Sequence, residues 1–347
     1  MKKKSIQAQE GMSRRQFLAV SGWLALGATT LGTPLSAEVL RFSPELYQVT
    51  SGRITMGTFV NMALFHPSKD QAEEAMGKAF QEMDRLIDIF NAHDASTRIS
   101  HLNKTGRLNE LPPELYEVLG LSLEINRRTG GAFDITIKPV LDLYEQSFAQ
   151  HGKPPEKEEL AKALENVGCD GLGIERNAIS FKRRDMRITL DGIAKGYIVD
   201  RAMAVLRSQG IEHALINAGG DICVTGPRGD GAPWQIAVQD PWDQAKTADV
   251  VQMSKGAIAT SGNYEVHFDR EKLYHHIITP RFGMPTKGIA SVSAMAPSTM
   301  MADALSTSVF VMGVGKGKAF LKNISGVGGL IISSDQRKFH ANWPVHA

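Results

Sequence analysis

Between residues 71 and 91, Ala75, Met76, Ala79, Phe80, Met83, Leu86, Ile87 and Phe90 recur at three- and four-residue spacing. That period marks an amphipathic helix whose apolar stripe is continuous and has to be covered by other structure. A second helix is expected over 113–129, with Pro113 at its start and Gly130 at its stop, and a third over 195–209, closed by Gly210. The second half reads instead as short strands between turn residues, over 213–216, 234–238, 257–260, 273–278 and 289–295, joining an earlier strand over 54–65. Helices over 299–312 and 317–323 then precede a terminal hairpin formed by VGGLIISS and RKFHANW. No repeat or long linker divides the chain. The simplest architecture is one α+β domain with a mixed or antiparallel sheet and flanking helices.

The N-terminus follows different rules. Lys2, Lys3 and Lys4 precede SRRQFLAV, with Arg14 adjacent to Arg15, and a mildly apolar run extends to Ala37. This pattern reads as a twin-arginine-type export signal over 1–37, leaving 38–347 as the working domain in the periplasm. Ser21, Gly22, Gly27, Thr29, Thr30 and Gly32 interrupt the run, which suits a cleaved segment better than a membrane span, and the cut is expected after Ala37. Cys169 and Cys223 are the only cysteines, enough for one bridge at most and too few for a thiolate metal site. A net charge of +2, with no basic cluster interleaved with aromatics, gives no reason to expect nucleic acid.

Several polar stretches stand out from this background. In TLDGIAKGYIVD, a β-like run at Arg187, Ile188, Thr189 and Leu190 meets Lys195 flanked by Gly192 and Gly196. Bare backbone, one lysine and a helix start can cradle phosphate, although the spacing matches neither a P-loop nor a dinucleotide fingerprint, and an ordinary β-to-α corner looks the same. In APSTMMADALSTSVF, Asp303 and Thr307 stand four apart behind the helix-start residues Pro297, Ser298 and Thr299, so they share a face. They can offer two oxygens to a hard cation such as Mg²⁺; the plain alternative is a solvated Asp and a back-bonded Thr. His275 and His276 fall in an expected strand before Pro280 and Arg281, so one at most faces a site, where a neutral imidazole can serve as general base. Asp134 lies between Phe133 and Ile135 in an apolar strand and needs a partner. NAGGDICVTG sets Asp221 after two glycines, and ITMGTFVNM sets Met56 and Gly57 at a strand start.

Taken in order, MGTFVNMAL, TRISHLN, GGAFDITIKPVLDLY, LDGIAKGYIVDRA, LINAGGDICVTG, AIATSGNYE, HHIITPRFGMPT and ASVSAMAPSTMMADALSTSVFVMG resemble the ApbE family, the FAD:protein FMN transferases. The resemblance spans roughly residues 54–313 and implies a T-fold-like ApbE domain that uses FAD as substrate. By the resemblance, Mg²⁺-dependent transfer moves FMN to a Thr or Ser hydroxyl of a recipient flavoprotein, membrane-associated, and releases AMP. It assigns the metal to Asp303, Thr307 and the Gly192 carbonyl, and Lys195 to the FAD. Flavin contacts carry over to Met56, His93, Ala132, Phe133 and Asp134, and the TSG turn to Thr260, Ser261 and Gly262. His276 matches the histidine ahead of the Pro–Arg turn and becomes the base, with Asp303 as its catalytic companion. Two positions depart from the family, Thr189 and Thr279, where Asp is usual. Asp191 is expected one pleat beyond Thr189, about 7 Å away. The competing activities are an FAD-binding carrier or maturation factor, as for NosX-like proteins of the nitrous-oxide reductase system, and an FAD hydrolase giving FMN and AMP.

Overall fold

The computed structural model describes residues 38–92, 94–243 and 245–344. The export-signal segment and His93 therefore lie outside the described residues. The chain starts with β1 (Glu38–Arg41), β2 (Tyr47–Thr55), β3 (Thr58–His66), α1 (Lys69–Phe90), α2 (Arg98–Thr105), β4 (Arg107–Asn109) and α3 (Pro113–Thr129). It continues through α4 (Lys138–His151), α5 (Lys157–Leu164), β5 (Leu172–Glu175), β6 (Ala178–Phe181), α6 (Ala194–Ser208), β7 (His213–Ala218) and β8 (Asp221–Thr225). Then come β9 (Trp234–Gln239), β10 (Thr247–Met253), β11 (Lys255–Gly262), β12 (Ile278–Thr279) and β13 (Met284–Pro285). Last are β14 (Ile289–Ala296), α7 (Thr299–Lys322), β15 (Gly328–Ser333) and β16 (Lys338–Ala341).

Nine strands form the main sheet in the order β1-β2-β3-β7-β8-β11-β14-β15-β16, and every neighbouring pair runs antiparallel. Both faces are covered, which explains why its central strands are apolar at almost every position. Val60, Met62, Leu64, Cys223, Ala257, Ala259, Val292 and Ile331 point to the helical side, where α1, α6 and α7 supply Ala75, Met83, Leu86, Val199, Leu305 and Val309. The alternate residues Ala63, Phe65, Ile222, Val224, Ile258, Leu330 and Ile332 pack on Trp234, Ile236, Val238, Val251 and Met253 of the β9–β10 hairpin. The predicted stripe of α1 is the one that is buried, and the Ser68 hydroxyl caps the helix by accepting the Gln71 N–H at 3.3 Å.

Four local expectations need correction. The strand over 54–65 is two strands: Thr55 pairs with Thr58 around a two-residue turn in which Met56 and Gly57 have φ of 53° and 70°. Two positive φ values suit the right-handed twist of a hairpin, and the apolar alternation running through the turn disguised it. The run from Arg187 to Leu190 joins no ladder; Asn103 holds it by bonding both the N–H and the carbonyl of Ile188, and Thr189 N–H donates to the Ile135 carbonyl. Residues 273–278 are irregular, with one bridge between His267 and His275 and the two-residue β12 paired to β13. Tyr274 and Ile278 pack not in a sheet but in a satellite core with Val140 and Tyr144 of α4 and Leu160 of α5, Ile277 joins the main core, and Leu273 stays exposed. Asp134 caps a 3-10 turn at Ile135–Ile137 instead of sitting in a strand.

α7 contains the break foreseen between its two segments. Gly313 has φ 78° and ψ 171°, and beyond it the chain folds back on itself, so that a methyl on Gly317 would lie 2.7 Å from Val309 Cγ1. The approach of α6 to α7 is closer still. A methyl on Gly196 would lie 2.5 Å from the Thr299 carbonyl oxygen, a backbone atom that cannot swing aside. Asp200, one turn further along α6, caps α7 by accepting the N–H groups of Thr299 at 2.7 Å and Met300 at 2.9 Å. Gly196→Ala is expected to separate the two helices and cost about 1–3 kcal/mol, measured by urea unfolding; an unchanged midpoint would contradict this packing.

Candidate functional site

The polar residues singled out in the sequence collect at one end of the main sheet. The Met56–Gly57 turn joins β2 to β3, and the Gly219–Gly220 turn joins β7 to β8 beside it, close enough that a methyl on Gly219 would lie 2.2 Å from Thr58 Oγ1. β11 ends at Thr260, Ser261 and Gly262, which form a strand end and not the expected turn. Thr260 Oγ1 bonds Ser293 Oγ on β14 at 2.7 Å. Ser261 Oγ reaches across to α7, 2.7 Å from Ser306 Oγ and 3.1 Å from Thr307 Oγ1.

Asp303 and Thr307 do share a face of α7, and the reading of Asp303 as a solvated carboxylate fails: its residue is 5% exposed. Oδ2 of Asp303 accepts the Gly196 N–H at 3.2 Å, tying α7 to the first turn of α6. Gly192 lies against the same face, since a methyl there would sit 3.1 Å from Thr307 Oγ1 and 3.4 Å from Phe133 Cε2. Asp303, Thr307, Gly192, Ser261 and Phe133 are therefore neighbours, although the sequence spreads them from 133 to 307.

Lys195 enters the same cluster from α6. Its Nζ stands 3.4 Å from Oδ2 of Asp221, a residue 1% exposed that opens β8 and whose Oδ2 lacks a properly directed hydrogen bond. Burial disfavours the Lys195 ammonium, yet the carboxylates of Asp221 and Asp303 outweigh it and hold its pKa above the ordinary value. For Asp303, burial and then the Asp221 charge push the pKa well up, with Lys195 opposing. Asp221 is pushed up by burial and pulled back by Lys195. Asp221 carried no assigned role in the sequence. Its signal was a carboxylate at the head of an apolar strand, and the partner that explains it comes from another helix.

The two histidines separate cleanly. His275 is buried, its Nδ1 accepts the Ile277 N–H at 3.2 Å, and its Nε2 therefore donates to the Thr286 carbonyl at 2.7 Å. Both ring nitrogens are used, so His275 is structural. His276 is half-buried, and its Nδ1 lies 3.1 Å from the Val266 carbonyl, which can only accept; the proton sits on Nδ1 and Nε2 keeps its lone pair. Burial lowers the His276 pKa, while the Val266 bond and the charge of Asp191 act against that shift.

Asp134 does find partners. It accepts Thr136 N–H at 2.9 Å, the Thr136 hydroxyl, Asn126 Nδ2 at 3.3 Å and the Cys169 thiol at 3.3 Å, and it shares Asn126 Nδ2 with the Phe133 carbonyl at 2.7 Å, which ties the Ala132–Phe133 turn to it. Cys169 and Cys223 are both free thiols. Thr189 and Asp191 are not a pleat apart: because the segment is not a strand, Thr189 Oγ1 donates to Asp191 Oδ2 at 2.7 Å. Among the described residues, no three His, Cys, Asp or Glu side chains gather as a metal cluster. Around Thr307 the site offers the buried Asp303 carboxylate beside neutral hydroxyl and backbone oxygens, with the Asp221 carboxylate taken up by Lys195, a donor set suited to a hard cation such as Mg²⁺ and unsuited to a soft one.

The ApbE family model matches residues 56–331 of the sequence. This chain belongs to the ApbE family. It is 34% identical over 278 residues to the FAD:protein FMN transferase of Vibrio cholerae, covering 76% of this chain and 81% of that protein. The crystal structure of the ApbE protein from Thermotoga maritima superposes with a TM-score of 0.77 at 28% identity, over 86% of this chain and 97% of that one. The flavin transferase ApbE from Vibrio cholerae gives a TM-score of 0.73 at 27% identity, over 86% of this chain and 98% of that one. The ApbE-family α+β fold and the single domain are thereby shown.

In this ApbE-family chain the ion cluster is a structural commitment as well as a chemical one. Asp221→Asn removes the nearest counter-charge of the half-buried Lys195 ammonium and is expected to cost about 2 kcal/mol. The double variant Asp221→Asn/Lys195→Met should lose less than the sum of the two single variants, read from urea unfolding; strict additivity would show that the two groups do not interact.

Proposed function

We propose that this chain is an FAD:protein FMN transferase. A Thr or Ser hydroxyl of a recipient flavoprotein attacks the phosphorus that carries riboflavin in FAD; the new P–O bond forms, the pyrophosphate P–O bond breaks, and AMP leaves. The observation that carries this reading is the convergence of Asp303, Thr307, Gly192 and Lys195 at one end of the sheet, in a chain whose family match spans nearly the whole domain.

Substitution at phosphorus needs charge neutralisation, positioning and a base. Mg²⁺ held by Asp303, Thr307 and the Gly192 carbonyl would neutralise charge on the pyrophosphate and on the departing AMP. Lys195 would add a fixed positive charge on the FAD side of the cluster, kept protonated by Asp221 and Asp303. Nε2 of His276 is the atom in our reading that takes the recipient's hydroxyl proton, with its tautomer set by the Val266 carbonyl. Met56, Ala132, Phe133, Asp134, Thr189 and the Thr260–Gly262 strand end are assigned to hold FAD, Asp134 by stiffening the turn that presents Ala132 and Phe133. Export through the twin-arginine-type segment would place this chemistry in the periplasm, beside membrane-associated recipients.

Asp303→Ala is expected to abolish Mg²⁺-stimulated release of AMP and FMN transfer, and full activity in that variant would remove Asp303 from the metal site. His276→Ala should bind FAD as before and lose transfer. Because burial lowers the His276 pKa below its ordinary 6.5, the base is already neutral at pH 7 and is lost as pH falls. The rate of transfer should accordingly be flat through neutrality and decline on the acid side, and a profile that instead climbs above pH 7 would contradict the assignment.

A further inference from the structure

The large apolar side chains left exposed are unevenly distributed. Val266 (52%), Leu273 (70%), Phe282 (60%) and Met284 (41%) all lie between 266 and 284, the stretch that holds His276. They sit on two successive tight hairpins: Val266 faces His276 across the first, where the His276 N–H donates to the Val266 carbonyl at 3.2 Å, and Phe282 and Met284 belong to the second, closed by Gly283 N–H on the Thr279 carbonyl at 2.9 Å. The four residues thus belong to the two hairpins that meet at His276 in the chain. Looseness does not explain their exposure, because the underside of the stretch is firmly seated. Phe268 stacks on Tyr144 with centroids 5.3 Å apart, Tyr274 packs on Phe148 at 5.2 Å, and a methyl on Gly283 would strike Leu160 Cδ1 at 2.6 Å. An anchored segment that keeps large apolar groups in water is the signature of a surface meant to be covered.

What covers it follows from its position and charge. Between 265 and 284, Glu265, Asp269 and Glu271 are balanced by Arg270, Lys272 and Arg281, so the face carries no net field to hold an anionic membrane or a polyanion. Through Val266 it adjoins the imidazole that, on the transferase reading, must meet a hydroxyl borne by another protein. We propose that the face formed by Val266, Leu273, Phe282 and Met284 docks the recipient flavoprotein, taking apolar side chains that neighbour the acceptor Thr or Ser. This rests on the transferase reading and adds to it the surface and the kind of contact by which the recipient is selected.

The test uses the exported form of the full domain, FAD, Mg²⁺ and a purified recipient domain bearing an FMN-attachment Thr. Phe282→Ser/Leu273→Ser, and Phe282→Ser alone as a second variant, alter the two most exposed of these side chains, leave in place Met284, whose Sδ accepts from the Tyr144 hydroxyl at 3.5 Å, and should fold normally. For the double variant we expect KM for the recipient to rise about tenfold or more, with kcat and FAD affinity changed less than about twofold. Wild-type KM should stay nearly constant between about 0.05 and 0.5 M salt, where screened charge contacts would weaken. Normal transfer by the wild type with an unchanged KM in both variants would overturn the docking face alone. A wild type that dimerises, or floats with anionic phospholipid vesicles, and loses only that property in the variants would assign the face to a second copy or a membrane and overturn it as well. No FMN transfer by the wild type would overturn the transferase reading and the docking face together.

Discussion

A half-buried ammonium beside two buried carboxylates is the interaction around which this domain is arranged. Removing Lys195, Asp221 and Asp303 from water is costly, and the cost is offset only if the three elements that carry them meet closely. They do: α6 lies on α7 with bare Gly196 at the contact, Asp303 accepts the Gly196 N–H, and Asp221 opens β8 directly below Lys195. Asp200 extends the same logic by capping α7 from α6. The cluster has one positive and two negative groups when all are ionised. Its excess negative charge gives a bound cation a physical reason to be there, in our reading of Asp303 and Thr307 as ligands.

The rest of the fold serves to hold that cluster and to leave its surroundings irregular. The antiparallel sheet, buried on both faces, fixes β8, β11 and β14 in register, so Asp221, Ser261 and Ser293 cannot drift. The segments that complete the site come from turns and loops: the Met56–Gly57 turn, the Ala132–Phe133 turn braced by Asp134, the Thr189–Gly192 strap and the stretch around His276. Each is fastened by a small number of specific bonds, such as Asn103 to Ile188 and Ile135 to Thr189. Functional groups on loops positioned by a rigid scaffold are what a site for a large substrate and a protein recipient requires.

How much of this was legible in the chain depended on whether a local period carried the information. The stripe from Ala75 to Phe90, the Pro113 and Gly130 boundaries of α3 and the terminal hairpin follow from periodicity and end signals that act within a few residues. The shared face of Asp303 and Thr307 was legible for the same reason. The Met56 turn was hidden because its first residue is not glycine, and apolar alternation continues through it. The stretch from Leu273 to Ile278 was misread because Tyr274 and Ile278 pack on α4 and α5, more than a hundred residues earlier in the chain, and Leu273 is left exposed. Asp221 gained its meaning only from Lys195, and the Thr189–Asp191 bond only from the absence of a ladder; neither fact is local.

Whether this domain moves FMN from FAD to a protein hydroxyl is read by mass spectrometry of a recipient domain incubated with the wild-type chain, FAD and Mg²⁺, with AMP followed in the same sample. The recipient should gain one FMN on its Thr for each AMP released, with neither product when Mg²⁺ is chelated. AMP released with no gain in the recipient's mass would make the chain a hydrolase, and FAD bound with neither product would make it a carrier; either result would rule out FMN transfer.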